Sequence, residues 1–352
     1  TTKSENFWKI CVDNLDISRT SVTVHMPGDT LQVMAYMSEF KAEEGNFDLH
    51  DSKYSVGKLN LEDGKVEYDN NFSGRVSGLD YNHIALSSLN FSVDSILYYN
   101  SALNLNVRKC GFYEKSGLSV TELSGAVSLD SVRIKLPDFR LRTSESFLRA
   151  RADLALNALS SGVSAGKLDV FVDASVGKQD LVRCMAGMPA GFMRRWPNYP
   201  LSLKASVTGN MKRAALNGVV INLPTAFSIS GKGKLSNLTD IKKFGADITV
   251  KARTHNLDFV TALIGNPSLR IPRGIAVDGR LMAKGTKYDV DMVASEGGGR
   301  LKLVAAMNTS GMTYMAKADA KALNISYFVP GLSMKPFSGS ININGKGTDL
   351  RS

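Results

Sequence analysis

Apolar and polar residues alternate along most of this chain. Leu201, Leu203, Ala205 and Val207 interleave with Ser202, Lys204, Ser206 and Thr208. The same period of two runs through Leu168, Val170, Val172, Ala174 and Val176, through Phe227 and Ile229, and through Ile248, Val250 and Ala252. It returns in Leu301, Leu303, Ala305 and Met307 and in Ile341 and Ile343. Earlier rows are Val22 and Val24; Leu103, Leu105 and Val107; Val132, Ile134 and Leu136; and Phe139 with Leu141. Successive side chains of a strand point to opposite faces, so this pattern predicts sheet with one dry and one wet face. Turn signals recur about every 8 to 12 residues, as expected of an all-β chain. They include Glu62-Asp63-Gly64-Lys65, Lys115-Ser116-Gly117, Ser160-Ser161-Gly162 and Gly297-Gly298-Gly299.

Helical periodicity is confined to a few short stretches, and these repeat. Asp180-Leu-Val-Arg-Cys-Met-Ala-Gly187-Met-Pro189 and Asp258-Phe-Val-Thr-Ala-Leu-Ile-Gly265-Asn-Pro267 share Asp, Val, Gly and Pro at one spacing, 78 residues apart. A weaker copy, Asn324-Ile-Ser-Tyr-Phe-Val-Pro-Gly331-Leu-Ser333, follows 66 residues later. An alternating strand comes after each: Tyr199 to Gly209, Gly274 to Gly285 and Phe337 to Gly347. The first helical stretch extends from about Lys178 to Arg195, with Leu181, Cys184, Met185, Met188 and Phe192 on one face, and Met188-Pro189-Ala-Gly191 should break it in two. Asn256 and Asn324 read as N-caps, Gly265 and Gly331 as C-terminal stops. Asp180 and Asp258 read as carboxylates serving the free amides of a helix start.

A repeat of this kind marks an array that grows by stacking. Its period is too long for one coil of a β-solenoid, whose repeats are usually about 20 to 30 residues. The expected architecture is an elongated, strongly curved sheet forming an apolar-lined trough, with a few short helices packed at repeat junctions. Residues 1–177 would be a strand-and-turn segment and residues 178–352 three helix-plus-sheet units continuous with it. Roughly 20 to 25 strands spaced about 4.8 Å apart would extend on the order of 100 Å. An apolar trough facing water is costly unless something apolar fills it.

Composition adjusts this picture only slightly. The 352 residues are 43% hydrophobic and 22% charged, ordinary values for a folded chain. The 43 basic and 33 acidic residues give +10, which suits nucleic acid or an anionic membrane surface. The basic residues are scattered singly through strands, without a Lys/Arg block or an aromatic-studded motif, so a solvated outer face is expected and no nucleic acid. Cys11, Cys110 and Cys184 form no metal or redox spacing and read as small apolar fillers, with Cys184 on the buried side of its helix. No apolar run approaches the roughly 18 to 20 residues of a membrane-spanning helix. The chain begins Thr1-Thr2 and has no signal-peptide pattern, as expected of a piece of a longer or processed protein.

No catalytic set emerges. His25, His50, His83 and His255 are solitary. Gly231-Lys-Gly233-Lys234 lacks the spacing of a phosphate loop and reads as a bend in a strand, as does Gly345-Lys-Gly347. Asp289 and Asp291 share a strand face with nothing converging on them. Arg194-Arg195-Trp196-Pro-Asn-Tyr199-Pro fits either of two roles: touching lipid headgroups at a trough rim, or stapling a helix end to the sheet. Neither a cofactor nor a metal is expected.

Several phrases resemble the AsmA-like superfamily, in particular its TamB-type translocation and assembly members in the Bacteroidetes. They are Gly45-Asn-Phe-Asp48-Leu49 with Tyr54-x-Val56-Gly57-x-Leu59 and Val66-Glu-Tyr68-Asp69; Gly78-Leu-Asp80-Tyr81-Asn-His83-Ile84-x-Leu86; Glu114-Lys-Ser116-Gly117-Leu118 with Leu136-Pro137-Asp138-Phe139-Arg140-Leu141-x-Thr143; and Phe337-Ser-Gly339-Ser-Ile-Asn-Ile-Asn-Gly345-Lys-Gly347-Thr348-Asp349-Leu350. The resemblance implies an internal segment of a periplasmic protein anchored in the inner membrane by an N-terminal helix. It implies no catalytic residues, and a role in moving phospholipid toward the outer membrane or in outer-membrane protein assembly with an Omp85-type barrel partner.

The expected function is a non-enzymatic conduit that shields acyl chains. Its lining candidates are Leu168, Val170, Val172, Leu201, Leu203, Val207, Phe227, Ile229, Ile248, Val250, Leu301, Leu303, Ile341 and Ile343. The main alternative is a scaffold or chaperone that pairs its strand edges with those of outer-membrane barrels. A β-rich adhesin is a third, weaker reading.

Overall fold

The computed structural model describes residues 8–26, 31–70, 73–156, 166–185, 190–264, 271–327 and 334–347. The fold is all-β. Its strands are β1 (Lys9–Met26), β2 (Leu31–Asp48), β3 (Lys53–Asn70), β4 (His83–Tyr99), β5 (Ala102–Glu114), β6 (Ser119–Leu129), β7 (Arg133–Thr143), β8 (Phe147–Ala155) and β9 (Lys167–Val176). Helices α1 (Lys178–Cys184) and α2 (Ala190–Arg195) come next. Then follow β10 (Leu201–Asn210), β11 (Arg213–Leu223), β12 (Phe227–Ser236), β13 (Gly245–Thr254), helix α3 (Asp258–Ile264), β14 (Ala276–Lys284), β15 (Lys287–Glu296), β16 (Gly299–Asn308) and β17 (Thr313–Leu323). A single 3-10 turn, Ile325–Tyr327, leads into β18 (Phe337–Lys346).

The chain divides into two units, residues 1–156 with 174–187, and residues 157–173 with 188–352. In the first, β1 to β8 form an antiparallel meander in which each strand pairs with its neighbour in sequence. In the second, β10 to β18 do the same. Neither run closes on itself among the described residues. Hairpin connections need only local turns, which is why a Gly- and Asn-rich, Pro-poor sequence folds this way.

Eighteen strands lie among the described residues, against the expected 20 to 25, and β1 to β4 are 17 or 18 residues long. The expected turn Glu62-Asp63-Gly64-Lys65 lies inside β3, where the register shifts between Leu61 and Gly64 and Asp63 adopts φ 46°. The extra residues are taken up as a bulge, which bends a strand without ending it. The Lys115-Ser116-Gly117 and Gly297-Gly298-Gly299 turns lie where expected, while Ser160-Ser161-Gly162 falls outside the described residues.

The sequence repeat now has a physical meaning. Between α2 and α3 lie four strands, and between α3 and the 3-10 turn lie four more. An even number of antiparallel strands returns the chain to the end it left, so these helical segments all sit at the same end of the strands. The expected break between α1 and α2 is present, although Met188 and Pro189 lie outside the described residues. Asn256 caps α3, its Oδ1 accepting from the Asp258 amide at 2.9 Å, and Asn324 accepts from the Ser326 amide at 3.3 Å. Gly265 and Gly331 lie outside the described residues.

Little of this sheet is covered by a second layer. The accessible surface is 21828 Å² for 38.1 kDa. A compact monomer of that mass exposes about 14,000 Å², and two separate compact halves about 17,000 Å². The excess therefore does not depend on how the two units are placed. Among the described residues most strand positions are half-buried or exposed, so much of the sheet surface meets solvent.

Candidate functional site

Residues directly opposite in an antiparallel pair share a face, so the register of the second unit can be followed strand by strand from β10 to β18. One row reads Leu203, Ile221, Ile229, Ala252, Val277, Ala294, Leu301, Ala320 and Gly339. The next reads Ala205, Val219, Gly231, Val250, Gly279, Met292, Leu303, Ala318 and Ile341. A third reads Val207, Leu216, Gly233, Ile248, Leu281, Val290, Ala305, Ala316 and Ile343, and a fourth runs from Gly209 through Leu235, Tyr288, Met307 and Tyr314 to Gly345. None of these rows contains a charged or hydrogen-bonding side chain apart from the two tyrosine hydroxyls. At about 4.8 Å per strand the apolar surface runs about 40 Å across the strands.

The sequence-derived lining residues converge on this face. Leu203, Val207, Ile229, Ile248, Val250, Leu301, Leu303, Ile341 and Ile343 stand in its rows. Leu201 shares the alternation of Leu203, and Phe227 pairs with Leu223 at the end nearest the helices. On β9, Asp173 pairs with Lys204 and Phe171 lies under its ammonium group, so Val172, Val170 and Leu168 point to the opposite side, that of Leu203. The face is not dry. Ile341 and Ile343 are 54% and 51% exposed, and most other positions are half-buried.

The first unit carries apolar rows of its own. Ile17, Phe40, Leu61, Phe91, Cys110, Leu123, Leu141 and Leu148 are consecutive cross-strand partners over all eight strands. So are Ile10, Phe47, Tyr54, Tyr98, Leu103, Leu129, Ile134 and Leu154, with Tyr54 and Tyr98 stacked at 5.9 Å.

The helices of the second unit pack on each other beside the β11–β12 turn, to whose Thr225 and Ala226 carbonyls the amides of Asn256 and His255 donate. Phe192 and Trp196 meet Phe259 of α3 edge-on, with ring centroids 5.5 and 5.0 Å away. Leu223 and Ala226, at the adjacent β11–β12 turn, are fully buried. Trp196 thus packs the α2 end against α3, while Arg194, Arg195 and Tyr199 remain exposed. Arg195, Asn198, Tyr199, Thr225, Asn256 and Asp258 line a shallow cleft there.

The other chemistry-bearing residues hold turns. In the first unit Asp180 is buried, but it does not cap α1. Its carboxylate accepts from the hydroxyls of Thr143 and Ser146, the latter at 2.7 Å, and from Arg183 at 2.9 Å, tying α1 to the β7–β8 turn. Burial pushes its pKa up, and those three donors outweigh burial and hold it below the usual carboxylate range. Asp180 does lie in the first turn of α1, as expected, but its carboxylate is engaged by these side chains and not by the free amides of the helix. Asp258 lies in the first turn of α3 and is exposed, 3.7 Å from Arg273.

His83, solitary in the sequence, is buried with Nδ1 2.9 Å from Asp80 and Nε2 3.4 Å from Asp69. Asp80 also accepts from the amides of Val76 and Asn82, so the group closes the connection into β4. Only the run Asp80-Tyr-Asn-His83 hinted at this, and its meaning depends on Asp69 from the preceding strand. Gly231 and Gly233 lie within β12, not in a phosphate loop. A Cβ at Gly233 would collide with the Asp247 carbonyl oxygen, which requires glycine there for a packing reason. Cys11 and Cys184 are exposed, contrary to the expectation of buried fillers; Cys184 is the last residue of α1, one turn beyond the buried Asp180. Asp48, His50 and Asp51 cluster at the β2–β3 turn, where Asp48 already pairs with Lys9 at 2.9 Å.

No helix among the described residues is long and apolar enough to cross a membrane. No protein-family model, curated protein or solved structure matches this chain.

Proposed function

We propose that this chain is a non-enzymatic lipid conduit, whose continuous apolar sheet face shields acyl chains while headgroups stay at the water boundary. The observation that carries the reading is the set of four uninterrupted apolar rows across nine strands, half-exposed and without a charge. An isolated soluble sheet gains nothing from such a surface, and patches larger than a few hundred Å² mark binding sites. Continuity suits translocation in particular. Each CH₂ left in water costs about 0.8 kcal/mol, so a polar interruption is a barrier and an unbroken face lets a chain slide. The AsmA-like resemblance supplies the setting proposed here: a periplasmic segment of an inner-membrane-anchored protein, moving phospholipid between inner and outer membrane.

Native mass spectrometry of the gently purified chain, with lipid extraction, tests this reading. Copurified phospholipid supports it, and a folded, lipid-free protein that also fails to take up added phospholipid rejects it. The competing scaffold reading, with an Omp85-type partner, rests on the edge strands. Backbone groups open at the edge of a sheet are what a barrel strand would pair with. That reading requires peptide binding without lipid binding.

A further inference from the structure

The face of β10 to β18 opposite the apolar rows holds most of the chain's excess positive charge. Its positions include fourteen lysines and arginines but five aspartates, by the same cross-strand register. All fourteen basic residues are exposed. Three of the aspartates are engaged within the face, Asp247 with Arg280 at 2.6 Å, Asp278 with Lys251 at 3.3 Å and Asp319 with Lys317 at 3.5 Å. The surplus of nine cations is close to the formal +10 of the whole sequence. Scattered along the sequence, these residues looked like ordinary solvated positions; pairing the strands gathers them onto one surface.

We infer that this basic face of the second unit docks on an anionic phospholipid surface. The arrangement of the charges selects that partner. Cations stand two residues apart, about 7 Å, on β12, β13 and β16, and face each other across neighbouring strands at Lys284 with Lys287 and Arg300 with Lys321, so the fourteen are spread over a two-dimensional field of roughly 1,000 Å² and not along one line. A polyanionic chain needs a line or groove of charge, and a nucleic acid also gains from aromatic platforms; the face has no aromatic residue from β10 to β18. Between the cations stand exposed aliphatic side chains, Val220, Val304 and Met315, which a headgroup layer can accommodate. Each basic residue held near an anionic leaflet adds attraction that salt screens. The inference is independent of the proposed conduit, because it concerns the other face.

The test is co-sedimentation of the full chain with vesicles of phosphatidylcholine alone or with about one-third phosphatidylglycerol, at low and high salt. The expected result is at least tenfold tighter binding to the anionic vesicles, abolished by high salt. A triple variant, Lys232→Glu with Arg300→Glu and Lys321→Glu, should lose at least tenfold in affinity while keeping the circular dichroism of the parent. A variant with the same charge change in the first unit, Lys65→Glu with Lys109→Glu and Lys135→Glu, should bind nearly as the parent does. Equal losses in the two variants would mean that net charge, not this face, governs binding, and would overturn the inference. So would indifference to vesicle charge, or tighter binding to single-stranded nucleic acid or heparin than to the vesicles.

Discussion

Placing a carboxylate at Val250 tests the apolar track at its middle. Val250 lies on β13 between Gly231 and Gly279 on the flanking strands, with Ile248 and Ala252 before and after it on the same face. Val250→Asp removes a half-buried isopropyl group, worth about 1 kcal/mol, and introduces a poor strand former at a further cost of up to about 1 kcal/mol. The glycine neighbours leave the carboxylate room to reach water. The unit should therefore stay folded, losing roughly 1 to 2 kcal/mol. A lipid chain crossing the position faces a larger penalty. It must either strip water from an unpaired carboxylate, which costs several kcal/mol, or detour and expose about three to four CH₂ groups at about 0.8 kcal/mol each. The cheaper route sets the effect at about 3 kcal/mol, or roughly a hundredfold in occupancy at about 1.4 kcal/mol per decade. The control is Thr249→Asp, one residue away, exposed and on the opposite face. Native mass spectra of the two variants, incubated with phospholipid and checked by denaturant unfolding, provide the comparison. Equal lipid occupancy in two folded variants would refute the track.

Four further outcomes follow from the packing and the charges. Phe259→Ala should cost about 3 to 5 kcal/mol in denaturant unfolding, because the ring is buried against Phe192 and Trp196. Arg280→Ala should leave the denaturant midpoint nearly unchanged, since its pair with Asp247 is exposed and solvent-screened. Asp180 has a depressed folded pKa, so its contribution is present above the unfolded value and disappears as pH falls through the folded one. Acid titration of unfolding should show that loss from the ordinary carboxylate range downward in the parent, and a shallower loss in Asp180→Asn. Gly233→Ala should destabilise more than Gly218→Ala in thermal melts, because a Cβ collides with backbone at the first site and meets open space at the second.

The regular half of this fold was legible because its alternation slips only at the bulges in β11 and at the end of β17. From β10 to β18 the period of two assigns nearly every side chain to a face, and the lining residues named from sequence, Leu203 and Ile343 among them, reach the same surface. The first unit was harder. In β1 the apolar positions run Ile10 and Val12, then Leu15 and Ile17, then Val22 and Val24, so the phase slips twice within one strand. Arg19 adopts φ 47° and Glu44 on the partner strand φ 58°, conformations that a local pattern does not announce. The same limit turned the Asp63-Gly64 bulge into an expected turn. Asp180 shows another limit: its sequence position suits a helix start, but its partners Thr143 and Ser146 come from a turn more than thirty residues earlier. The basic face was legible only after register was known, since each of its residues is locally unremarkable in a wet strand.

The most direct measurement is photocrosslinking of the chain with a phospholipid carrying a diazirine near the end of its acyl chain, mapped by peptide mass spectrometry. The account predicts adducts on the apolar rows of the second unit, at positions such as Ile229, Val250 and Leu303, and none on the intervening Thr249 or Lys302. Adducts confined to the sheet edges, or spread equally over the two faces, would contradict it.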